Sequence, residues 1–376
     1  MKTDLTLHDR TLILHRFPKR NSETLQAWDA GDEYIINYVE ELGFTEHKHI
    51  LILNDNFGAL SCWFSAQHKV TMMSDSFIAQ TGTRANLASN QCNDISFMTT
   101  MDEIPSDIDL VIMQIPKSNR HLTWQLSRLR AALDSNILIV SVNKAKDIHT
   151  STLKLFEKYL GQTKTSLAWR KHRLVFSNAN SAQIIPIDPI TRWDVDGENF
   201  ALNNYPNVYS GESLDLGARF MLPNLPRKEG IKHIIDLGCG NGVLSCRMGQ
   251  LNPTAKFTCV DESFMAVESA RQNLIEVLGT DREINCVANN CLDGFMASSA
   301  DLIMCNPPFH QQQAITDHIA WQMFCDAKHV LSSGGQLLVI GNRHLGYDAK
   351  LARLFGNAKV KTVASNNKFV ILQATK

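Results

Sequence analysis

Four segments from the first half of the chain recur in the second half at a nearly constant distance. Ile52-Leu53-Asn54-Asp55-Asn56-Phe57-Gly58-Ala59-Leu60-Ser61 aligns with Asp236-Leu237-Gly238-Cys239-Gly240-Asn241-Gly242-Val243-Leu244-Ser245 at an offset of 184. Asp109–Pro116 aligns with Asp301–Pro308 at 192, Ile139–Lys144 with Leu338–Arg343 at about 199, and Arg173–Val175 with Lys368–Val370 at 195. Offsets of domain length that stay this constant point to an internal duplication, so the chain reads as two copies of one fold. Each copy alternates short apolar runs with amphipathic stretches, which predicts α/β architecture with parallel sheets. In the second copy the runs are Ile234–Leu237, Phe257–Val260, Ile284–Ala288, Leu302–Cys305, Gln336–Ile340, Val360–Val363 and Phe369–Gln373. Gly242–Gln250 and Ser263–Leu278 carry helical spacing, the second ending at Gly279. Only the short segment around Ser365–Lys368 parts the last two runs, so they should pair as an antiparallel hairpin after five parallel strands with helical crossovers. The proline-bearing stretch Gln183–Asn207, with Pro186, Pro189 and Pro206, predicts the break. The expected domains are 1–185 and 201–376, with a linker at 186–200.

Bulk properties narrow the class. At 376 residues, 44% hydrophobic and 20% charged, the chain has the composition of an ordinary globular protein of two or three domains. No run approaches the ~18 apolar residues of a membrane helix. Lys2, Asp4, Asp9 and Arg10 replace the apolar core of a signal peptide. The nine cysteines include no C-x-x-C pair, which predicts reduced thiols and a cytoplasmic location. His47, His49 and His344 lack the company of a zinc site, so no metal is expected. A net charge of −1 excludes a uniformly basic nucleic-acid binder. Charge is nevertheless segregated: Lys117–Arg173 holds twelve basic residues against Asp134, Asp147 and Glu157. Such a stretch can present a basic face to phosphates, with Arg128, Arg130, Lys144 and Lys146 as candidates. Solvated helix faces are the competing reading.

The second copy carries the chemistry. A ligand with an adenosine moiety lies across the carboxyl ends of parallel strands, where strand order reverses. Gly238, Gly240 and Gly242 allow a tight turn and a close backbone approach there. Asp236 ends one strand and could meet the ligand's amino group directly or through water. Asp261 ends the next strand, and its carboxylate suits paired ribose hydroxyls. Asn290, after the third strand, could bond the adenine edge. A dinucleotide dehydrogenase would prefer glycine where Val243 stands, and no Walker lysine follows the turn. Asn306-Pro307-Pro308-Phe309 sharpens the picture. The prolines lack N–H donors and have fixed φ, so the carbonyl between them can be held toward a ligand. That carbonyl and the Asn306 side-chain oxygen can accept both hydrogens of an exocyclic amine, directing its lone pair at a sulfonium methyl. Phe309 can stack on a base. Together these residues describe a pocket for S-adenosyl-L-methionine beside a grip for a planar amine, on a class I (Rossmann-like) methyltransferase sheet. The first copy has Asn54, Asn56 and Gln114-Ile115 in place of Gly238, Gly240 and Asn306-Pro307, so it should keep the scaffold and lose the cofactor.

Asp236–Gly242, Asn306–Phe309, Tyr209-Ser210 and Leu214–Phe220 resemble the bacterial rRNA guanine-N2 methyltransferases, over nearly the whole chain. That family has two methyltransferase-like domains, of which only the C-terminal one binds the cofactor. Leu25–Ala30, Leu51–Asp55 with Phe57–Ser61, Asp147–Leu153 and Asn306–Gln312 are similar to its large-subunit branch. The resemblance implies methylation of N2 of one guanine in 23S rRNA. It places Asn306, Pro307 and Phe309 on the guanine, and Asp236, Gly238, Gly240, Asp261 and Asn290 on the cofactor, with neighbouring Asn289 able to fill the last role. A 16S target, an adenine-N6 or protein-glutamine substrate, and a non-enzymatic rRNA-binding assembly factor remain alternatives. The residues do not address the oligomeric state.

Overall fold

A computed structural model of the chain describes residues 2–20, 22–180, 183–308 and 313–376, with side chains for all of these except 313–317. The chain divides into two units, Met1–Pro189 and Ile190–Lys376. The first unit opens with a hairpin of β1 (Asp4–Leu7) and β2 (Arg10–Ile13). Its main strands are β3 (His49–Leu53), β4 (Lys69–Met73), β5 (Ser96–Met98), β6 (Leu110–Gln114), β7 (Leu138–Lys144), β8 (Thr163–Thr165) and β9 (His172–Asn178). Helices α1 (Ala30–Glu41), α2 (Ala59–Phe64), α3 (Phe77–Ser89), α4 (Asn119–Ala132) and α5 (Thr150–Tyr159) accompany them. The second unit opens with a hairpin of β10 (Thr191–Asp194) and β11 (Ala201–Asn204), followed by α6 (Leu216–Met221). Then come β12 (His233–Leu237), α7 (Val243–Leu251), β13 (Lys256–Asp261), α8 (Phe264–Leu278), β14 (Ile284–Ala288) and β15 (Ala300–Cys305). The unit closes with α9 (Gln313–Val330), β16 (Leu331–Asn342), α10 (Tyr347–Phe355), β17 (Val360–Ser365) and β18 (Phe369–Thr375).

Each unit holds one seven-stranded sheet, and the two sheets have the same order. They run β5-β4-β3-β6-β7-β9-β8 and β14-β13-β12-β15-β16-β18-β17. Five strands pair in parallel, and the final hairpin inserts antiparallel at the edge, as the short Ser365–Lys368 segment predicts. The identical topology bears out two tandem Rossmann-like domains. Both β3 and the apolar part of β12 are buried on both faces, which explains their uninterrupted apolar sequence. Alternation then sorts side chains between two layers. In the second unit Ile234 packs with Leu244 and Leu274 on one face, while Ile235 and Leu237 pack with Phe324 and Leu351 on the other.

Local chemistry sets the helix starts. Ser76, Ser118 and Ser263 each accept from the backbone N–H three residues on, and Asp29 closes a capping box with Asp32. Gly242 begins α7 at φ +79. A Cβ there would lie 3.1 Å from the Ala270 Cα and 2.8 Å from the Leu274 side chain. Only glycine lets α7 approach α8 this closely.

Two expectations need correction. Residues 186–200 are not an extended linker: from Thr191 the chain forms the β10–β11 hairpin, whose Val195 and Leu202 are buried in the second unit's core. The prolines marked the break, but the apolar alternation that follows was too short to read as strands. The connection from β14 to β15 also carries no helix, and neither does the one from β5 to β6. Each connection is too short and too rich in turn residues, such as Gly294 and Pro105, to hold one.

Candidate active site

Adjacent strands bring the two diagnostic segments together. β12 and β15 pair with Leu237 opposite Cys305, so Gly238 and Asn306 leave the sheet side by side. A Cβ on Gly238 would lie 3.8 Å from the Asn306 main-chain oxygen and 3.2 Å from Met323 Cε of α9. Gly238 and Cys239 donate their N–H groups to the Val260 carbonyl at 2.8 and 3.0 Å, tying the turn to β13. Gly240 follows at φ +53, with open space where its Cβ would be. A ligand can therefore rest against its backbone.

Asp261, at the end of β13, faces this turn. One carboxylate oxygen accepts from Gly240 N at 2.9 Å and the other from Ser263 N at 3.0 Å. The Glu262 backbone N–H is a third donor, and the carboxylate's remaining acceptor capacity is left for a ligand. Burial raises its pKa, and these backbone bonds oppose the rise. An acceptor-only group that fixes the turn and retains acceptor capacity fits vicinal hydroxyls. The residues present thus fit the cofactor: Gly238 and Gly240 would line it, and Asp261 would hold its ribose.

Asp236 lies deeper than the sequence suggested. It is 1% exposed, and its carboxylate accepts from Ser245 Oγ at 2.7 Å, beneath the turn. Through this bond Asp236 braces the first turn of α7. Burial pushes its pKa up to about 6, the Ser245 bond resisting. An acid whose folded pKa lies above its unfolded value of 3.8 lowers stability as pH rises between the two, and the full penalty remains above the higher one. The expected cost at neutral pH is of the order of 3 kcal/mol. Asp236→Asn should therefore unfold at higher denaturant than the parent at pH 7.5. The gap should narrow as pH falls from about 6 to about 4; a gap that does not change with pH would contradict the assignment.

Asn290 is held within its own loop. It is 3% exposed and donates to Asp293 at 2.5 Å, while Asn289 donates to the carbonyls of Asp293 and Cys291. These bonds engage the amide nitrogens of both side chains and leave their oxygens as the acceptors. Cys239 is no nucleophile. Its bond with Cys259 favours the thiolate, but burial together with the neighbouring Asp261 and Asp236 carboxylates outweighs that bond and pushes the pKa up to about 12.

Asn306 has an uneven environment. Its Nδ2 donates to Asp215 at 3.3 Å, whereas its buried Oδ1 has no hydrogen-bond partner among the described residues. An unpaired buried acceptor is costly unless a ligand supplies the donor. Pro307 is buried and Pro308 exposed. Phe309 lies outside the described residues, as do His310, Gln311 and Gln312. Among the described residues no cluster could hold a metal ion, and no helix is long and apolar enough to cross a membrane.

Sequence reasoning missed the support beneath the site. Asn241 donates to Asn204 at 2.9 Å, and Asn273 donates to the carbonyls of Asn241 and Asn203, each at 2.9 Å. All three amides are buried, and they pin the glycine turn to the β10–β11 hairpin. Isolated asparagines in distant segments carry no spacing signal that could have revealed this.

In the first unit the matching positions are filled. Asn54 N donates to the Met73 carbonyl, as Gly238 N does to Val260. The Asn54 side chain bonds the Gln114 carbonyl and exchanges bonds with Gln125; Asn56 bonds Gln114 Oε1, and Gln114 bonds the buried Asp32. Asp55, buried in turn, accepts from Gly58 N, Ser61 N and Ser61 Oγ. Side-chain amides occupy the space that the second unit leaves open. The four basic candidates separate by employment. Arg128 donates to the carbonyls of Thr100 and Asp102 and lies over Trp124, and burial lowers its pKa. These contacts give Arg128 a structural role within the first unit. Arg130 is half-buried on α4. Lys144 and Lys146 are exposed at the end of β7, where Ala145 N bonds the carbonyl of the equally exposed Lys171.

Fold and site together define an S-adenosylmethionine-dependent methyltransferase. The comparisons agree. Residues 2–181 match the RLMG N-terminal domain model, and residues 199–373 match the methyltransferase small domain model. Curated proteins called ribosomal RNA large subunit methyltransferase G are 70% identical in Vibrio campbellii, 66% in Aliivibrio fischeri and 64% in Vibrio cholerae. Each match covers 100% of this chain and 98%, 99% and 100% of the relative, respectively. The chain belongs to the ribosomal RNA large subunit methyltransferase G family. A T. thermophilus 16S rRNA N2 methyltransferase, solved with AdoMet and guanosine, shares the fold with a TM-score of 0.78 at 17% identity, covering 100% of this chain and 97% of that one.

Proposed function

We propose that the protein transfers a methyl group from S-adenosyl-L-methionine to the exocyclic N2 of one guanine in 23S rRNA, in the cytoplasm. The observation that carries this reading is the buried Asn306 Oδ1, without a hydrogen-bond partner among the described residues, on a residue whose main chain lies beside Gly238. When bound, the cofactor supplies an electrophilic methyl on a sulfonium. Asn306 Oδ1 and the Pro307 carbonyl accept the two N–H bonds of the amine and orient its lone pair. The nitrogen–carbon bond forms as the carbon–sulfur bond breaks with its electron pair going to sulfur, and the amine then loses a proton to water. No general base is required, so Asn306 works by orientation. The names of the relatives support a large-subunit target. The guanine-N2 assignment follows the resemblance to rRNA guanine-N2 methyltransferases; the grip itself would also fit an adenine-N6 or glutamine amide. Labelled methyl transfer to total rRNA from a strain lacking the protein tests the reading. N2-methylguanosine in large-subunit RNA is expected. Label in small-subunit RNA, in N6-methyladenosine or in protein would select an alternative.

The first unit, its own turn filled, serves in this proposal to dock RNA. Exposed Lys144 and Lys146 supply phosphate contacts, and the second unit supplies the chemistry. Each lost phosphate contact flattens the logarithmic salt dependence by roughly 0.7–0.9. The double variant Lys144→Ala, Lys146→Ala should lower the slope by roughly 1.5 in RNA-binding titrations, without changing cofactor affinity. An unchanged slope would leave these lysines as solvated surface.

A further inference from the structure

Asn306 can grip an amine only if its oxygen, and not its nitrogen, faces the amine. Amide ends are nearly isosteric, so something must choose between them. Asp215 is the group placed to do so. It sits at the N-cap of α6, where its Oδ2 accepts from Ala218 N at 2.9 Å and from Asn306 Nδ2 at 3.3 Å. Tyr209 donates its hydroxyl to the other oxygen at 3.3 Å. A carboxylate only accepts, so it can meet the Asn306 amide only at its nitrogen; the flipped amide would set two acceptors against each other. The end left over is Oδ1, the buried atom with no partner among the described residues.

We propose that Asp215 is a positioning residue: by holding the Asn306 nitrogen, it fixes the amide with its oxygen toward the amine. Tyr209 in turn orients the carboxylate. This inference rests on the reading of Asn306 as the amine grip, and adds the residue that gives the grip its polarity.

The test uses the full-length protein, rRNA from a strain lacking it, and labelled cofactor. Asp215→Asn keeps the shape and the helix cap, since asparagine caps about as well as aspartate, but it lets the amide pair flip. Asp215→Ser keeps the cap and withdraws the partner. Both should lower kcat roughly tenfold to a hundredfold, the weight of one hydrogen bond to a charged group. KM for RNA and cofactor affinity should stay within about twofold of the parent, because neither variant touches the glycine turn. Asn306→Asp sets two carboxylates together and should be impaired more severely. Combining it with Asp215→Asn rebuilds the pair with reversed polarity and again leaves an acceptor for the amine. The double variant should exceed Asn306→Asp alone by roughly tenfold or more. A purely capping role predicts unchanged kcat in Asp215→Asn and no rescue in the double variant; that result would overturn the proposal. Asn306→Ala separates the two readings. If it keeps full turnover, the grip itself fails. If it is inactive while both Asp215 variants are normal, the grip stands and only Asp215's role is lost.

Discussion

Replacing Asn306 by alanine is expected to lower single-turnover methylation by two or more orders of magnitude, with S-adenosylmethionine binding unchanged. The size follows from what the side chain does. It contributes neither charge nor a proton acceptor of useful basicity; it fixes where the nitrogen lone pair points. Small errors in such geometry cost about a hundredfold in rate. The cofactor should not notice, because the turn that receives it is built from Gly238, Gly240 and Asp261, and Asp261 bonds backbone groups rather than Asn306. Stability should hold or rise slightly, since the variant removes a buried acceptor that has no partner among the described residues. Rapid-quench methylation with calorimetry on the same preparation checks both halves. Near-normal turnover would remove Asn306 from the chemistry and leave the orphaned oxygen without a function.

The second large effect is expected at Asp261, with the opposite signature. Asp261→Ala should weaken cofactor binding roughly tenfold to a hundredfold or more. Two hydroxyls bonded to one carboxylate involve charge-assisted bonds of about 1.5–3 kcal/mol each, and the substitution also frees Gly240 N and Ser263 N from the bonds that shape the turn. Turnover at saturating cofactor should suffer less than affinity. Asp261→Asn should be intermediate, keeping one oxygen for the turn. Titration calorimetry gives the affinity, and a dissociation constant unchanged in both variants would move the ribose elsewhere.

The fold and half of the site were legible for one reason. A parallel sheet puts its ligands at strand ends, and strand ends can be counted in sequence. Once Ile234–Leu237 and Leu302–Cys305 were neighbours, Gly238 and Asn306 had to meet. Reading the same ends in the first half exposed Asn54, Asn56 and Gln114 as substitutes, although not that they bond one another. Depth was not legible. Asp236 and Asp261 both end apolar runs, yet Asp236 turns beneath α7 to Ser245 while Asp261 turns toward Gly240. Sequence charge also says nothing of employment: Arg128 and Lys144 were equal candidates until two carbonyls and a tryptophan claimed the first. Asp215 and the amides of Asn204, Asn241 and Asn273 act across long separations, where no local pattern points from one partner to the other.

The filled turn of the first unit makes the two halves thermodynamically different. A ligand stabilises only the state that binds it, by about 2.7 kcal/mol at a concentration one hundred times its dissociation constant. The second unit is therefore a reporter of cofactor supply, firm when the methyl donor is plentiful and looser when it is scarce. The first unit carries Asn54, Asn56 and Gln114 as a covalently attached occupant. That occupant is always present at saturating effective concentration and cannot be diluted away. Amide hydrogen exchange should display the asymmetry. Adding S-adenosylmethionine should slow exchange in β12 and β13 and leave β3 and β4 unchanged. On the proposed division of labour, the first unit is a platform whose rigidity does not fluctuate with metabolism.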